Sequence, residues 1–294
     1  MLNRIAQWTD HLEHFWEETV MKRFAGPFLV IIYLGTIVLI EMNRQGWLPS
    51  FMMENLPTSH FFAVEVAFTV LLLTEVVSLI FGLTRSFSRS IGIQMEILSL
   101  ILLRDTFKKF TEFPEPLEWE AVADAIPIMG LEALGAITIF VIIQVYYRTQ
   151  RDYQLIEDEE DQQTFVMYKK LIALGLVVIF ISIGVWDLWR LFTGQEVYPF
   201  FETFYTILIF TDVLMVLLSL RYTSTYLVVF RNFAYALVTV FVRIALIAPP
   251  PINAGIGVAA TLFALGIAYS YNVNAGSLPV VQKRATILTP QVGD

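Results

Sequence analysis

Two arginines lie inside one apolar stretch of the sequence, RNFAYALVTVFVRIAL, at Arg231 and Arg243. An arginine in bilayer hydrocarbon is costly unless it reaches the membrane surface or finds an acidic partner. Their separation corresponds to about 18 Å along a helix, so we expect the two side chains near opposite membrane surfaces. A neighbouring apolar stretch begins at Glu202 and carries Asp212 further along. We therefore predict that Arg243 pairs with Glu202 and that Arg231 pairs with Asp212.

The first half of the chain offers the same chemistry. Glu65 begins an apolar stretch and Arg104 ends the next one, which predicts a further ion pair at the same depth. An intramembrane charge needs a partner, so the simpler interpretation is that these pairs hold neighbouring helices together. The alternative is that these ion pairs lie along a path by which ions cross the membrane. We favour the first because charges near a membrane surface cost least.

Other acids fall deeper within apolar stretches. Glu75 occupies the position that Asp212 has in the second half, and Glu96 and Glu132 lie in the following two stretches. If Glu75, Glu96 and Glu132 converge, they form a candidate proton or cation site, because close carboxylates in low dielectric cannot all ionise. The alternative is three neutral carboxyl groups bonded to backbone or hydroxyl groups.

The composition decides the solvent in which these residues fold. Of 294 residues, 56% are hydrophobic and only 16% are charged, whereas soluble domains have about 25% charged residues. A membrane crossing needs roughly 20 mostly apolar residues. Eight segments meet or approach that length, and the third is the shortest: residues 24–42, 61–83, 90–104, 125–147, 171–189, 200–220, 226–248 and 252–271. We predict an all-α, polytopic membrane protein of about eight transmembrane helices.

The two halves of the chain resemble each other. FAVEVAFTVLLLTEVVSLIFGLTR in the first half aligns with FFETFYTILIFTDVLMVLLSLRY in the second. This pattern predicts two parallel four-helix repeats, related by an axis along the membrane normal. The alignment superposes Glu65 on Glu202, Glu75 on Asp212, and Arg104 on Arg243.

The predicted organisation has five parts: an amphipathic surface helix at 1–23, a repeat at 24–147, an acidic linker at 148–170, a repeat at 171–272 and a tail at 273–294. The first part alternates apolar and acidic residues at helical spacing, which is typical of helices that lie on a membrane. Most lysines and arginines fall on the side that holds both termini, which predicts that both are cytoplasmic.

The second half resembles the PsiE family, small bacterial membrane proteins named for induction by phosphate starvation. The resemblance rests on FTDVLMVLLSLRY, FRNFAYALVTVFVRIALI and AGIGVAATLFALGIAYS. The family unit has four helices, with an acid in the second and an arginine late in the third; Asp212 and Arg243 match those positions, and Glu75 and Arg104 match more loosely. The resemblance implies the cell membrane of a prokaryote but no activity.

Enzymatic chemistry finds little support in the sequence. There is no cysteine, and the three histidines fall outside the predicted crossings, so we expect neither a clamped haem nor a thiolate metal site. No phosphate-binding loop, dinucleotide fingerprint or nucleophile elbow is present. We therefore expect no catalytic residues, no metal and no cofactor. The net charge of -8 argues against a nucleic-acid partner.

Two functions from different classes remain. The first is a structural or accessory membrane protein, a stress-linked subunit of a larger complex or a homo-oligomer in the lipid bilayer. The second is a small proton or cation transporter or channel that uses the buried carboxylates. A water-accessible cavity that reaches Glu75 or Asp212 favours transport, whereas a dry interior with every acid paired favours the accessory role.

Overall fold

The computed structural model describes residues 8–9, 11–47, 57–84, 86–150, 159–193, 195, 200–222 and 225–274. This part of the chain is helical and contains no strand. Its eight long helices are α1 (Ala25–Arg44), α2 (Phe62–Gly82), α3 (Phe87–Lys108), α4 (Ile126–Thr149), α5 (Glu159–Phe192), α6 (Phe200–Leu220), α7 (Tyr226–Ile247) and α8 (Ile252–Asn274).

Seven of these helical segments are long and apolar enough to cross a membrane, which is the architecture of a multi-pass membrane protein. The exception is α3, which has 22 residues but includes charged residues at both ends and near its middle. The sequence placed this crossing at 90–104, and the helix extends beyond both of those limits. Ser86 caps its start by accepting a hydrogen bond from the backbone N–H of Arg89. The total of eight crossings stays a prediction.

The core combines helices from both halves of the chain. One apolar cluster is built from α3, α4, α7 and α8, with Leu98, Ile139 and Val238 among its enclosed side chains. A second cluster is built from α2, α3, α5 and α6. Helix α3 belongs to both, so it lies at the centre of the bundle. Helices α1 and α5 expose large apolar side chains such as Ile31 and Val185, as lipid-facing helices do.

Consecutive helices touch within each half, and α3 packs on α7 while α4 packs on α8 across the halves. These contacts bring the third and fourth helices of both predicted repeats together. Superposition of the two repeats by a parallel rotation stays a prediction.

The structure describes parts of the predicted surface helix and of the predicted linker. From His11 the chain is helical as far as Arg44, and the indole N–H of Trp16 donates to Ser78 Oγ of α2 at 3.0 Å. The end of the predicted linker, from Glu159 onward, is the start of α5. Residues 151–158 and 275–294 lie outside the described residues.

The close approach of α4 and α8 yields a first prediction. A Cβ atom at Gly135 would lie 2.6 Å from Ala254 Cβ and 3.4 Å from its Cα. Gly135→Ala should therefore destabilise the protein by about 1 to 3 kcal/mol, because overpacking forces two backbones apart. At Gly130 of the same helix a Cβ would meet nothing within 4 Å, so Gly130→Ala is the matched control and should be neutral or stabilising by up to about 1 kcal/mol. Denaturant unfolding in detergent micelles measures both, and equal effects would contradict the packing.

Candidate functional site

The most deeply enclosed charge pair joins α6 to α7. Arg243 and Asp212 have side chains only 1% and 6% exposed, and Arg243 Nη2 lies 3.9 Å from Asp212 Oδ2. That distance permits electrostatic attraction but is too long for a hydrogen bond. All three guanidinium nitrogens of Arg243, and Asp212 Oδ2, are enclosed without a hydrogen-bond partner. Buried polar groups are nearly always hydrogen-bonded, so this pair is incompletely satisfied.

The predicted pairing of Arg243 with Glu202 is therefore wrong. Glu202 is exposed in the first turn of α6. Side chains on a helix lean toward its N-terminus, so on two antiparallel neighbours the side chains of Arg243 and Asp212 lean toward each other. The predicted pairing matched residues by their distance from the helix ends and did not consider the direction of the side chains. The partner of Arg243 is therefore Asp212, which lies about three helical turns deeper than Glu202.

The predicted pairing of Arg231 with Asp212 is also wrong. Arg231 Nε and Nη2 donate to Asn232 Oδ1, at 3.4 and 3.0 Å, and the guanidinium lies 4.4 Å from the centre of the Tyr271 ring. Because Arg231 and Arg243 are about 18 Å apart along α7, one acid cannot meet both. A cation–π contact thus replaces the expected ion pair.

A small cavity with both polar and apolar side chains in its wall adjoins Asp212. Its volume is about 20 Å³, which is enough for one water molecule. Residues of α3, α5, α6 and α7, with Leu83 just after α2, form its wall. The polar residues of this wall are Asp212, Thr239, Gln94, Ser90, Lys169 and Tyr235. Gln94 Oε1 is enclosed without a hydrogen-bond partner. The interior is therefore not uniformly apolar beside the buried acid.

Glu75 is the second buried acid of this region. It is 6% exposed, and within the described part of the chain no hydrogen bond or ion pair joins its carboxyl group to another side chain. Arg104 is the charged side chain that acts on it electrostatically. The structure thus leaves this acid unneutralised at short range.

Tyr205 of α6 packs near Arg243 and near the part of α2 that carries Glu75. It is 5% exposed and belongs to the apolar cluster that includes Leu72 and Val76, the residues on either side of Glu75 along α2. The Arg243 guanidinium lies 6.0 Å from the centre of its ring. Tyr205 therefore connects the Asp212–Arg243 pair to the surroundings of Glu75.

The predicted pair of Glu65 with Arg104 is replaced by two neighbouring contacts. Arg104 Nη2 lies 2.7 Å from Asp105 Oδ1, and Lys108 Nζ lies 3.4 Å from Glu65 Oε1. Asp105 follows Arg104 in sequence, and Lys108 lies one turn nearer to the helix end that faces Glu65. Glu65, Arg104 and Lys108 nevertheless line one cleft of about 120 Å³, so the expected residues are close although their pairing differs.

The three acids proposed as one ion site do not converge. Glu96 is exposed on α3, because its neighbour Met95 points into the core. Glu132 is fully buried, and its Oε1 accepts a hydrogen bond from Asn253 Nδ2 of α8 at 3.1 Å. Glu75 lies on α2, apart from both. Helical periodicity, which the alignment of acids by depth did not consider, sends these side chains in three directions.

Outside the crossings, a charged network ties the loop before α4 to the start of α2. Glu115 accepts hydrogen bonds from the backbone N–H groups of His60 and Phe61, at 2.8 and 3.3 Å. His60 Nε2 lies 3.3 Å from Glu41, at the end of α1. Partial burial acts to raise the pKa of Glu115, but the hydrogen bonds from His60 outweigh it and lower the pKa. The negative charge at the start of α2 is favourable.

Sequence reasoning missed four residues of the site: Tyr205, Thr239, Gln94 and Lys169. No charge pattern identifies the first three. Lys169 falls at the end of the predicted linker, but only 4% of it is exposed, and its amino group lies 5.0 Å from the centre of the Phe165 ring. A helical wheel of the second half would have placed Tyr205 and Asp212 on one face, because they are two turns apart.

No group of three or more histidine or acidic side chains in the described ranges is arranged to hold a metal ion. Comparisons with protein-family models, with curated proteins and with solved structures found no match. The resemblance to the PsiE family stays a prediction.

Proposed function

We propose that this multi-pass membrane protein moves protons or small cations through its interior, by way of Asp212 and Glu75. The observation that supports this most is the cavity of about 20 Å³ at Asp212, which has several polar side chains in its wall. Ionisable residues within a bundle commonly mark ion or proton paths. If the Asp212–Arg243 pair served only to hold two helices together, we would expect its polar atoms to be hydrogen-bonded.

The arrangement of side chains supports a route with two ends. The cavity at Asp212 is lined by Ser90 and Leu83, near the predicted cytoplasmic ends of α3 and α2. The cleft at Glu65 and Arg104 lies near the opposite ends of the same helices. Tyr205 and Glu75 lie between the two. The route therefore follows the seam between α2, α3, α6 and α7.

Purified protein in liposomes tests the proposal. With an imposed pH gradient and a trapped pH-sensitive dye, the full chain should dissipate the gradient faster than protein-free liposomes. A second set of liposomes with sodium or potassium gradients detects cation movement. Liposomes that stay as tight as the protein-free control in both assays would contradict transport.

The accessory role is the second candidate, and Glu96 favours it. This exposed acid lies at least about 13 Å from either end of α3, and an acid at that depth facing lipid is costly. A partner subunit or a second copy that covers α3 would remove the cost. Absence of flux in both liposome assays would leave this role as the conclusion.

A further inference from the structure

We infer that the ion carried past Asp212 is the proton, and that Arg243 is the residue that excludes metal cations. This inference rests on the proposed function and names the ion that the same site accepts. Its basis is the fixed cation beside the acid. The Arg243 guanidinium lies 3.9 Å from Asp212, and the cavity adjoins the acid.

The charge balance at the site disfavours a metal cation. A sodium or potassium ion approaching Asp212 would meet the Arg243 guanidinium beside the single carboxylate, in surroundings of low dielectric where repulsion is strong. Arginine stays protonated in proteins, so the positive charge of Arg243 is permanent. Arginine side chains exclude cations in membrane pores by the same electrostatic barrier.

The number of ligands and the size of the cavity lead to the same conclusion. Metal cations that shed water need several oxygen ligands at once, whereas the cavity offers one carboxylate with scattered hydroxyl and amide groups. A volume of about 20 Å³ admits a single water molecule, so a metal cation must shed its hydration shell there and then meets the charge of Arg243 without water to screen it.

A proton does not meet these obstacles. A hydronium ion in the cavity can transfer a proton to an Asp212 oxygen, which forms one O–H bond and leaves a neutral water molecule. The reverse transfer releases the proton. While Asp212 is protonated, Arg243 loses its counter-charge, so the carboxyl group is favoured to give the proton up again. The fixed cation thus makes the acid a transient proton carrier.

Ion fluxes of reconstituted variants test the inference. Wild-type protein should dissipate a pH gradient but take up no more radioactive sodium or rubidium than protein-free liposomes. Arg243→Gln should increase sodium or rubidium uptake at least about tenfold, because a charge contact this close exceeds the 1.4 kcal/mol that a factor of ten requires. Arg231→Gln is the matched control, since this buried arginine lies on the same helix away from the acid, and should leave cation exclusion intact.

Arg243→His provides a second test if Arg243→Gln does not fold. The imidazole that this substitution introduces carries a charge only at low pH, so metal cations should be excluded near pH 5 and admitted near pH 8. Sodium or rubidium uptake by wild-type protein would overturn the inference, as would folded Arg243→Gln that still excludes both ions. Those outcomes leave transport standing, whereas absence of every flux in wild type contradicts the proposed function itself.

Discussion

Arg243→Met should destabilise the protein by about 3 to 5 kcal/mol, because it leaves the buried carboxylate of Asp212 without its counter-charge. Methionine approximates the volume of the arginine stem, so the loss reports the missing charge more than a cavity. Arg243 is 1% exposed, hence water cannot replace the lost partner. The free energy of unfolding, measured by denaturant titration in detergent micelles, gives the effect.

A double-mutant cycle separates the ion pair from general damage at the site. Combining Arg243→Met with Asp212→Asn removes both charges, and the double variant should recover at least about 1.5 kcal/mol of the loss. Glu202→Gln is the matched control, since Glu202 lies on the same helix but is exposed. If Glu202→Gln recovers as much stability as Asp212→Asn does, the pairing described for Arg243 is incorrect.

Much of the helical framework could be predicted from the sequence, because in a bilayer the backbone must satisfy its own hydrogen bonds and only a long apolar run can do so as a helix. Seven crossings are recognisable from this alone. The third is harder, because α3 is central to the bundle but carries Arg89, Glu96 and Arg104. A helix whose neighbours are mostly protein does not need a continuous apolar surface.

The residues of the site were partly predictable and their contacts were not. Asp212 and Arg243 could be predicted as site residues because charged residues are rare within an apolar stretch. Their pairing depends on the lean of the side chains and on which helix face is turned inward, and neither follows from depth alone. Exposed Glu202 and enclosed Asp212 differ by ten positions, which places them about 80° apart round the helix axis.

The uncharged residues of the site could not be predicted from the positions of charges in the sequence. Tyr205 and Gln94 resemble ordinary members of apolar or mixed helices. The role of Gln94 comes from the four helices whose residues line the cavity, and that of Tyr205 comes from its position near the Arg243 guanidinium. Long-range packing brings α3 and α7 together from different halves of the chain. A single sequence does not encode that proximity in any local pattern.

Glu75→Gln should abolish proton flux while leaving the stability of the protein within about 1 kcal/mol of wild type. The reason is that Glu75 is buried but holds no hydrogen bond or ion pair to a side chain in the described residues, so a neutral amide of the same shape strands no partner. The amide cannot take up and release a proton, so a route through this position is interrupted.

Asp212→Asn provides the comparison that makes this prediction specific. It should also stop the flux, but it leaves Arg243 enclosed without a counter-charge and should lose about 3 to 5 kcal/mol. Glu202→Gln changes an exposed acid of α6 and should keep both flux and stability. Flux in liposomes and the free energy of unfolding in micelles therefore distinguish the three acids. Glu75 should affect flux alone, Asp212 should affect both quantities, and Glu202 should affect neither. Undiminished flux with Glu75→Gln would remove Glu75 from the route, because no other group at that position could replace the lost carboxyl.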